Sequence, residues 1–307
     1  MNETKRIEPL TAPTARASIG AGRIALILAL LAVYIIWGST YLAIRYTLES
    51  FPPFLMAGAR FLLAGALLFL LARRRGSPAP TRAQWGGAAL VGGLLLVSGN
   101  GVVVFAEQSV SSSLTALVLA VVPIWAALIA GLWGQWPARR EWLGLLLGFA
   151  GIVLLNLEGD MRANRLGAAL LLTATISWAL GSVWSRRLPL PSGLMASAAE
   201  MLAAGAMLSL LSLASGERMA APPTTHALLA FLYLIVFGAI VAFSAYGYLL
   251  RHARPALATS YAYVNPVVAV ALGVGLAGER VTLVGLLAMV VILAGVALVA
   301  TAKKPEA

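Results

Sequence analysis

The sequence predicts an all-α membrane protein in which ten transmembrane helices form two inverted five-helix repeats around a central cavity. Three observations lead to this fold class: an apolar composition, ten apolar segments, and a similarity between the two halves of the chain. The chain is 61% hydrophobic and only 11% charged, with a mean hydropathy of +0.91. Soluble domains carry about 25% charged residues, so a polytopic membrane protein is indicated.

The ten spans follow one another through short connections that leave no room for a separate soluble domain. Residues 1–22 and 302–307 are polar and are predicted to be flexible cytoplasmic tails. The apolar run from Arg23 is too long for the h-region of a signal peptide, so it is interpreted as an uncleaved first helix. The spans are predicted near 23–45, 53–72, 85–106, 112–133, 141–157, 165–185, 192–214, 226–250, 255–277 and 281–301.

The distribution of basic residues predicts the orientation. Lys and Arg concentrate in the two tails and in alternate loops, at 73–82, 139–140, 186–187 and 251–254, whereas the other loops hold few. By the positive-inside rule, these loops and both termini are cytoplasmic. A net charge of +11 placed in this way orients helices and does not form a nucleic-acid-binding stripe. The expected surroundings are therefore a lipid bilayer, with no nucleic acid partner.

The two halves of the chain are similar to each other. LLAGA at 62–66 returns as LAAGA at 202–206, and Pro123 and Pro266 lie at matching places in their spans. The first repeat is assigned to residues 23–157 and the second to residues 165–301. An odd number of helices in each repeat inverts the second copy in the membrane. Inverted repeats are typical of alternating-access transporters, whose site lies near the midplane at helices broken by Gly or Pro; a purely structural repeat is the alternative.

Polar side chains within the spans predict the lining of the cavity, because lipid would penalise them. The candidate substrate-binding residues are Trp37, Ser39, Thr40, Tyr41, Asn100, Trp178, Ser182, Tyr246, Thr259, Ser260, Tyr263 and Asn265. For each Trp and Tyr the alternative is ordinary packing or an interfacial aromatic belt. For each Ser and Thr the alternative is a hydrogen bond to the backbone of its own helix.

The ninth helix is predicted to carry most of the polar recognition. Pro266 has no N–H and disturbs the carbonyl of Ala262 four residues earlier, which breaks the helix. Asn265 lies about 15 Å from the predicted cytoplasmic end, close to the midplane. Tyr263 and Thr259 offer an aromatic ring and a hydroxyl on one strip of the same helix. Pro123 is expected to break the fourth helix and to shape the opposing wall.

Three ionisable residues are candidates for gating or proton coupling: Arg60, Glu107 and Glu200. Arg60 and Glu200 occupy equivalent places in the two repeats, and a structural ion pair between them is the alternative. For Glu107, at the end of the third helix, a solvated rim position is the alternative. The chain has no Cys and two His, which excludes disulfides and most Cys/His metal sites, so neither a metal nor a cofactor is expected.

Several motifs carry a resemblance to a known family across residues 24–300. They are YIIWGSTYLAIR at 34–45, ESFPPFLMAGARFLLAG at 49–65, GNGVVVFAEQ at 99–108, SWALGSVWSRR at 177–187, PALATSYAYVNPVVAVALG at 255–273 and LAGERVTLVG at 276–285. The sequence resembles the drug/metabolite transporter superfamily, in particular its ten-helix EamA-type exporters and their amino-acid metabolite efflux branch. The resemblance implies an inner-membrane exporter whose helices one, three, four, six, eight and nine surround the cavity. The first half departs from the pattern, because Trp136 and Pro137 stand where the second half has the acidic turn at Glu279.

Taken with this resemblance, the sequence predicts a secondary transporter that exports small metabolites, such as amino acids, related amines or drugs, by alternating access. Its partner would be a small-molecule substrate. Protons or another ion would drive it, because the chain has no P-loop for ATP. Enzymatic activity is not expected, since the chain has few candidates for acid–base or metal chemistry. A membrane-embedded enzyme and a channel-like protein are the alternatives.

Overall fold

A computed structural model describes residues 15–106, 110, 112–157, 165–277 and 282–302, and every regular element in these ranges is helical. Ten helices follow in chain order: α1 (Ala15–Leu48), α2 (Pro53–Arg74), α3 (Arg82–Ala106), α4 (Ser112–Leu119 and Val122–Gly131), α5 (Arg139–Leu155), α6 (Arg165–Trp184), α7 (Leu194–Ala214), α8 (Thr225–His252), α9 (Pro255–Ala258 and Tyr261–Ala277) and α10 (Leu283–Thr301). By length and apolar composition, eight of them can cross a membrane; α4 and α5 are shorter. The predicted all-α membrane fold is confirmed, although α1 already begins at Ala15, within the predicted tail.

Contacts between helix ends show which ends lie on the same side of the molecule. The side-chain nitrogen of Gln84, in the first turn of α3, donates to the carbonyl of Leu190, which precedes α7, at 3.4 Å. Across the molecule, the Glu217 carboxylate after α7 accepts the backbone N–H of Phe54 at the start of α2 at 3.1 Å. The first of these two sides is called the basic side, because its described ends carry Arg73, Arg74, Arg75, Arg82, Arg139, Arg140, Arg186, Arg187, Arg251 and Arg254. The other is called the opposite side.

The packing of the helices repeats with an offset of five. α2 packs along α7, and α5 packs along α10, so each of these pairs joins a helix to its own equivalent. α1 packs against α8 and α9, and its equivalent α6 packs against α3 and α4. This exchange of contacts is what two inverted halves related by a two-fold axis would produce. The axis passes between α1 and α6 and their partners, where the central cavity lies.

Glycines let the two pairs of equivalent helices approach backbone to backbone. At the crossing of α2 and α7, a Cβ at Gly205 would lie 3.1 Å from the carbonyl oxygen of Gly58. At the crossing of α5 and α10, a Cβ at Gly295 would lie only 2.5 Å from the backbone nitrogen of Gly148 and 2.7 Å from the carbonyl oxygen of Gly144. Small residues are the usual means of close helix packing in lipid, where the hydrophobic effect does not drive helices together.

The helices around the cavity are irregular, as predicted, but the interruption of α9 does not lie at Pro266. α4 is interrupted at residues 120–121, and Pro123 follows in the first turn of its second segment. α9 is interrupted at Thr259 and Ser260, whereas Pro266 lies inside the continuous segment Tyr261–Ala277. The prediction that α9 breaks at Pro266 is therefore wrong. The interruption lies instead at two hydroxyl residues, whose side chains bond carbonyls of their own helix.

Two π-helical segments were not predicted, and they occupy equivalent places in the two repeats. They are Gly93–Gly101 within α3 and Leu234–Val241 within α8. In a π-helix each carbonyl bonds the fifth N–H along, so the helix turns its side chains to a different angle and leaves room beside them. Both segments face the cavity, where they contribute Asn100 and Gly238 to its lining.

Candidate substrate cavity

The cavity lies at the centre of the helix bundle and has a volume of about 900 Å³ including its open mouth. Residues of α1, α2, α3, α4, α6, α8 and α9 line it. These are the six helices that the sequence analysis named, with α2 in addition.

The cavity extends from the middle of the bundle towards the opposite side. Trp178 of α6 lies six residues before the end of its helix, and Tyr261 of α9 lies six residues after the start of its helix, so both are about 9 Å from the basic side. On the other side, the lining includes Ile44 near the end of α1 and Val104 near the end of α3. The lining therefore extends from the basic side of the midplane to the opposite-side ends of α1 and α3.

Four aromatic rings close the inner end, and we call them the aromatic floor: Trp37, Trp178, Tyr246 and Tyr261. Trp37 lies at the centre, with its ring 5.7 Å from Trp178, 5.1 Å from Tyr246 and 4.8 Å from Tyr261. The indole N–H groups of both tryptophans are satisfied within the protein, by the Gly238 carbonyl at 3.1 Å and the Tyr246 hydroxyl at 3.1 Å. The ring faces of the floor are thus the part that a ligand could contact.

Polar groups lie on the walls above the floor. Thr40, Tyr41 and Asn100 line the cavity, as does Asn265, which the structure buries almost completely. The Asn265 amide is assigned the orientation in which its nitrogen donates to the carbonyl of Tyr261 at 3.1 Å and to that of Tyr34 of α1 at 3.3 Å. Asn265 therefore bridges α9 and α1 at the edge of the cavity.

Asn100 is in a different situation. Its Oδ1 is shielded from solvent, and none of the described residues donates a hydrogen bond to it. An amide acceptor left without a donor costs free energy, typically about 1–3 kcal/mol, unless a ligand or solvent satisfies it. The π-helical segment of α3 holds this residue at the cavity wall. Of the two asparagines, Asn100 is the one with hydrogen-bonding capacity to spare.

Arg60 of α2 also lines the cavity, and its side chain is only 5% exposed. The guanidinium lies 4.4 Å from the centre of the Phe61 ring, and no acceptor among the described residues bonds its Nε. Arg60 lies seven residues into α2, about 10 Å from the opposite side. Its cation therefore belongs to the cavity and not to the membrane surface.

The other predicted site residues do not line the cavity. Tyr246 belongs to the floor but does not line the cavity, and its hydroxyl bonds that of Ser182 at 2.6 Å. Ser39 bonds the hydroxyl of Tyr233 at 2.6 Å, on the α8 side of α1. Thr259 bonds the Pro255 carbonyl of its own helix. These positions support the wall of the cavity from outside.

The predicted strip of Thr259 and Tyr263 thus points away from the cavity. The Tyr263 hydroxyl donates to the carbonyl of Leu145 in α5 at 3.0 Å, and its ring would meet a Cβ at Gly148 at 2.7 Å. The residue that the prediction missed is Tyr261, which shares a face with Asn265 because the two are four residues apart. That spacing was the available signal.

Arg60 and Glu200 do not form an ion pair with each other, so the alternative considered for these two candidates is wrong. Glu200 lies six residues into α7 from the basic side, and the charged group that acts on it is Arg251 of α8. The physical reason is the inversion itself, because equivalent residues of inverted repeats lie at opposite depths. Glu107, the third candidate, lies outside the described residues.

A second polar structure lies on the basic side, and we call it the basic-side clamp: Glu141, Arg254 and the end of α10 at Val299 and Ala302. Arg254 Nη1 at the start of α9 lies 2.8 Å from Glu141 Oε1 at the start of α5. Its Nη2 donates to the carbonyls of Val299 at 3.2 Å and Ala302 at 2.5 Å at the end of α10. One guanidinium thus joins three helix ends.

Two further contacts lie between the clamp and the aromatic floor. The hydroxyls of Tyr34 and Ser260 bond each other at 2.6 Å, which connects α1 to the interruption of α9. The Arg186 guanidinium after α6 donates to the carbonyl of Ala253 before α9. With the clamp and the floor, these contacts join α1, α5, α6, α9 and α10 on the basic side of the cavity.

Known proteins share this architecture. The model of the EamA-like transporter family matches residues 23–157 and again residues 165–301. The chain is 50% identical over 276 residues to the uncharacterized inner membrane transporter YedA of Escherichia coli (strain K12), over 90% of each chain. It is 27% identical over 282 residues to the probable amino-acid metabolite efflux pump of Salmonella typhimurium (strain LT2), over 86% of this chain and 91% of that one.

A solved crystal structure with 23% sequence identity is similar in fold, with a TM-score of 0.75 over 92% of this chain and 96% of that chain. The family match covers nearly the whole chain, and the identity to YedA extends over nine-tenths of it. Together with the membrane-spanning helices and the central cavity, these similarities establish that the chain belongs to the EamA-like transporter family of drug/metabolite membrane transporters.

Proposed function

We propose that the cavity is the substrate site of a secondary transporter that exports small metabolites by alternating access. One observation carries this proposal: both repeats line the central cavity, the lining extends towards one side of the membrane, and the aromatic floor and the basic-side clamp lie on the other side. A site between inverted repeats can be exposed to either side in turn when the repeats rock against each other. A channel would not need a closed layer beneath its cavity.

The orientation follows from charge. The positive-inside rule assigns the basic side to the cytoplasm, which places both chain ends there. The relative YedA is named as an inner membrane transporter, and this chain is proposed to lie in the same kind of membrane. In that orientation the cavity faces outward, so the conformation corresponds to the state in which an exported substrate has been released.

The lining supports amino acids as the substrate class. Ring faces of Trp37, Trp178 and Tyr261 suit an apolar body, and Asn100 offers an acceptor for a polar end. The Salmonella relative is named as a probable amino-acid metabolite efflux pump. A ligand of this kind would place its apolar part against the aromatic floor and its polar end against the polar groups of the walls.

Protons are the proposed coupling ion, and Glu200 is the described candidate for carrying them. Its side chain is buried within the bundle, next to the positive charge of Arg251. An intramembrane carboxylate beside a cation of another helix can bind or release a proton as the helices move, which would link proton movement to the change of conformation. Glu107 remains a second candidate.

Counterflow in proteoliposomes tests the function. Purified protein is placed in liposomes loaded with unlabelled phenylalanine, leucine and threonine. At least one labelled amino acid should accumulate inside above its external concentration, because the outward movement of the unlabelled molecules through an alternating site drives the inward movement of the labelled one. Trp178→Ala should raise the half-saturation concentration about tenfold, the equivalent of about 1.4 kcal/mol of lost ring contact.

The matched control is Trp85→Ala, because Trp85 stacks on Phe69 outside the cavity, with 6.4 Å between ring centres. This variant should transport like the wild type. Uptake that only equilibrates with the outside would indicate a channel. A complete absence of protein-dependent uptake across the twenty amino acids would overturn the proposed substrate class.

A further inference from the structure

The charge of the cavity lining indicates which charged groups a substrate can carry. Arg60 is the one ionisable group of formal charge among the described lining residues, and no Asp or Glu is among them. The described part of the cavity wall therefore carries a single positive charge. A cationic amine in this cavity would be repelled by the guanidinium, whereas a carboxylate would be attracted to it.

A buried cation of this kind needs a partner. Charged residues inside membrane proteins normally pair with an opposite charge or face the pathway of a charged substrate. Arg60 has no ion pair among the described residues, and its Nε has no acceptor there. Its contact with the Phe61 ring covers one face of the guanidinium and leaves the edge, where the N–H groups are, for another group.

Asn100 provides a hydrogen-bond acceptor in addition to the donor of Arg60. Its buried Oδ1 can accept a hydrogen bond, while the Arg60 Nε can only donate one. Both residues line the same cavity, and each has a buried polar atom that no described residue satisfies, a charged donor in Arg60 and a neutral acceptor in Asn100. A carboxylate together with an ammonium or amide group on one molecule would satisfy both, and the aromatic floor would contact the remainder.

We propose that this cavity binds a carboxylate-bearing metabolite, with Arg60 as the carboxylate-binding residue and Asn100 as the acceptor for a neighbouring donor group. This inference rests on the proposed function and deepens it. It retains zwitterionic amino acids and their anionic relatives as substrates. It excludes simple amines and cationic drugs, which the sequence alone left among the candidates.

A ligand series with one shared body tests the inference. Binding of phenylalanine, 3-phenylpropionate and phenethylamine to the purified protein is measured by the change in tryptophan fluorescence or in melting temperature. The same series is repeated with leucine and threonine and their decarboxylated and deaminated analogues. The wild type should bind at least one amino acid and its deaminated acid, and should bind the matching amine at least tenfold more weakly. Equal or tighter binding of the amines, or binding of none of the carboxylates, overturns the inference.

Variants then identify the residues. Arg60→Gln should weaken carboxylate binding at least tenfold, and Arg60→Lys should recover part of it because the charge remains. Asn100→Ala should weaken binding of the amino acid more than binding of its deaminated acid. The control is Arg45→Gln, since Arg45 is exposed at the end of α1. Unchanged carboxylate binding in Arg60→Gln overturns the assignment of this residue.

Two further measurements, of the melting temperature and of counterflow, distinguish effects on folding and on transport from effects on binding. Arg60→Gln removes a buried charge without a described partner, so the ligand-free variant should melt at or above the wild-type temperature. A lower melting temperature would mean that Arg60 has a structural partner and would overturn its assignment as a free ligand site. Carboxylate binding that needs Arg60 but gives no counterflow would contradict the transport proposal and leave this inference standing.

Discussion

Gly295→Val is expected to abolish the folded protein, because it separates the two repeats at one of their closest contacts. The Cβ of any residue at this position would lie 2.5 Å from the backbone nitrogen of Gly148 and 2.7 Å from the carbonyl oxygen of Gly144. Both are backbone atoms of α5, so no side chain can rotate to make room. Overpacking in a well-packed core typically costs about 1–3 kcal/mol, and a backbone clash of this kind is at the upper end of that range or beyond it.

The measurement is the melting temperature and the fraction of monodisperse protein after solubilisation in detergent. Gly86→Val is the matched control, since a Cβ at Gly86 meets nothing within 4 Å and the position is also helical. The control should lose little stability. If both valine variants fold equally well, the backbone contact between α5 and α10 is not needed for the fold.

Glu141→Gln is expected to open the basic side. The Glu141 side chain is almost fully buried, and it compensates the charge of Arg254, whose guanidinium also joins α9 to the end of α10. Gln can still accept the N–H of Ala138 that Glu141 caps at 3.0 Å, so the start of α5 is kept while the ion pair is lost. The substitution removes the ion pair that connects the start of α5 to the start of α9, while the other contacts of Arg254 remain.

The opening can be followed with one cysteine, because the chain has none of its own. Ser260→Cys places a thiol in the fully buried layer between the clamp and the aromatic floor. Adding Glu141→Gln should raise its rate of reaction with a thiol reagent applied from the basic side about tenfold to a hundredfold, which corresponds to a shift of about 1.4–2.8 kcal/mol between conformations. Arg140→Gln, at the exposed neighbouring position, should leave the rate unchanged. A rate that both substitutions raise equally would assign the effect to surface charge and not to the clamp.

The sequence predicted the fold well because its strongest signals are long apolar spans and their repetition. The features that it did not predict depend on the direction in which each side chain points from its helix. A proline at 266 indicates an irregular helix but does not determine where the helix is interrupted, and the interruption lies at Thr259 and Ser260. The face of α9 that reaches the cavity carries Tyr261, and not Tyr263 as predicted.

The candidate site was predicted in part. Trp37, Thr40, Tyr41, Asn100, Trp178 and Asn265 were expected to line the cavity and do so. Most of the predicted serines and threonines bond their own helix, which was the alternative considered for them. The π-helical segments could not be predicted, because their residues have no composition that distinguishes them from α-helix.

The pairing of Arg60 with Glu200 failed for a reason that the sequence already contained. Equivalence in an inverted repeat means equivalent environment at mirrored depth, so two such residues lie in opposite halves of the membrane. Arg60 is near the opposite side and Glu200 near the basic side. Applied consistently, this rule would have left Arg60 unpaired and would have pointed to a ligand.

The central claim is that the cavity binds the transported molecule, and ligand protection of a cavity thiol tests it most directly. Val103→Cys introduces a thiol at a half-buried lining position of α3, and Val102→Cys provides the control one residue away, which does not line the cavity. A membrane-impermeant thiol reagent applied from the opposite side should modify the cysteine at position 103. A carboxylate that the wild type transports should slow this reaction at least tenfold at saturating concentration, and should leave the cysteine at position 102 unaffected. Reaction at position 103 that proceeds at the same rate with and without the transported molecule would show that transport does not use this cavity.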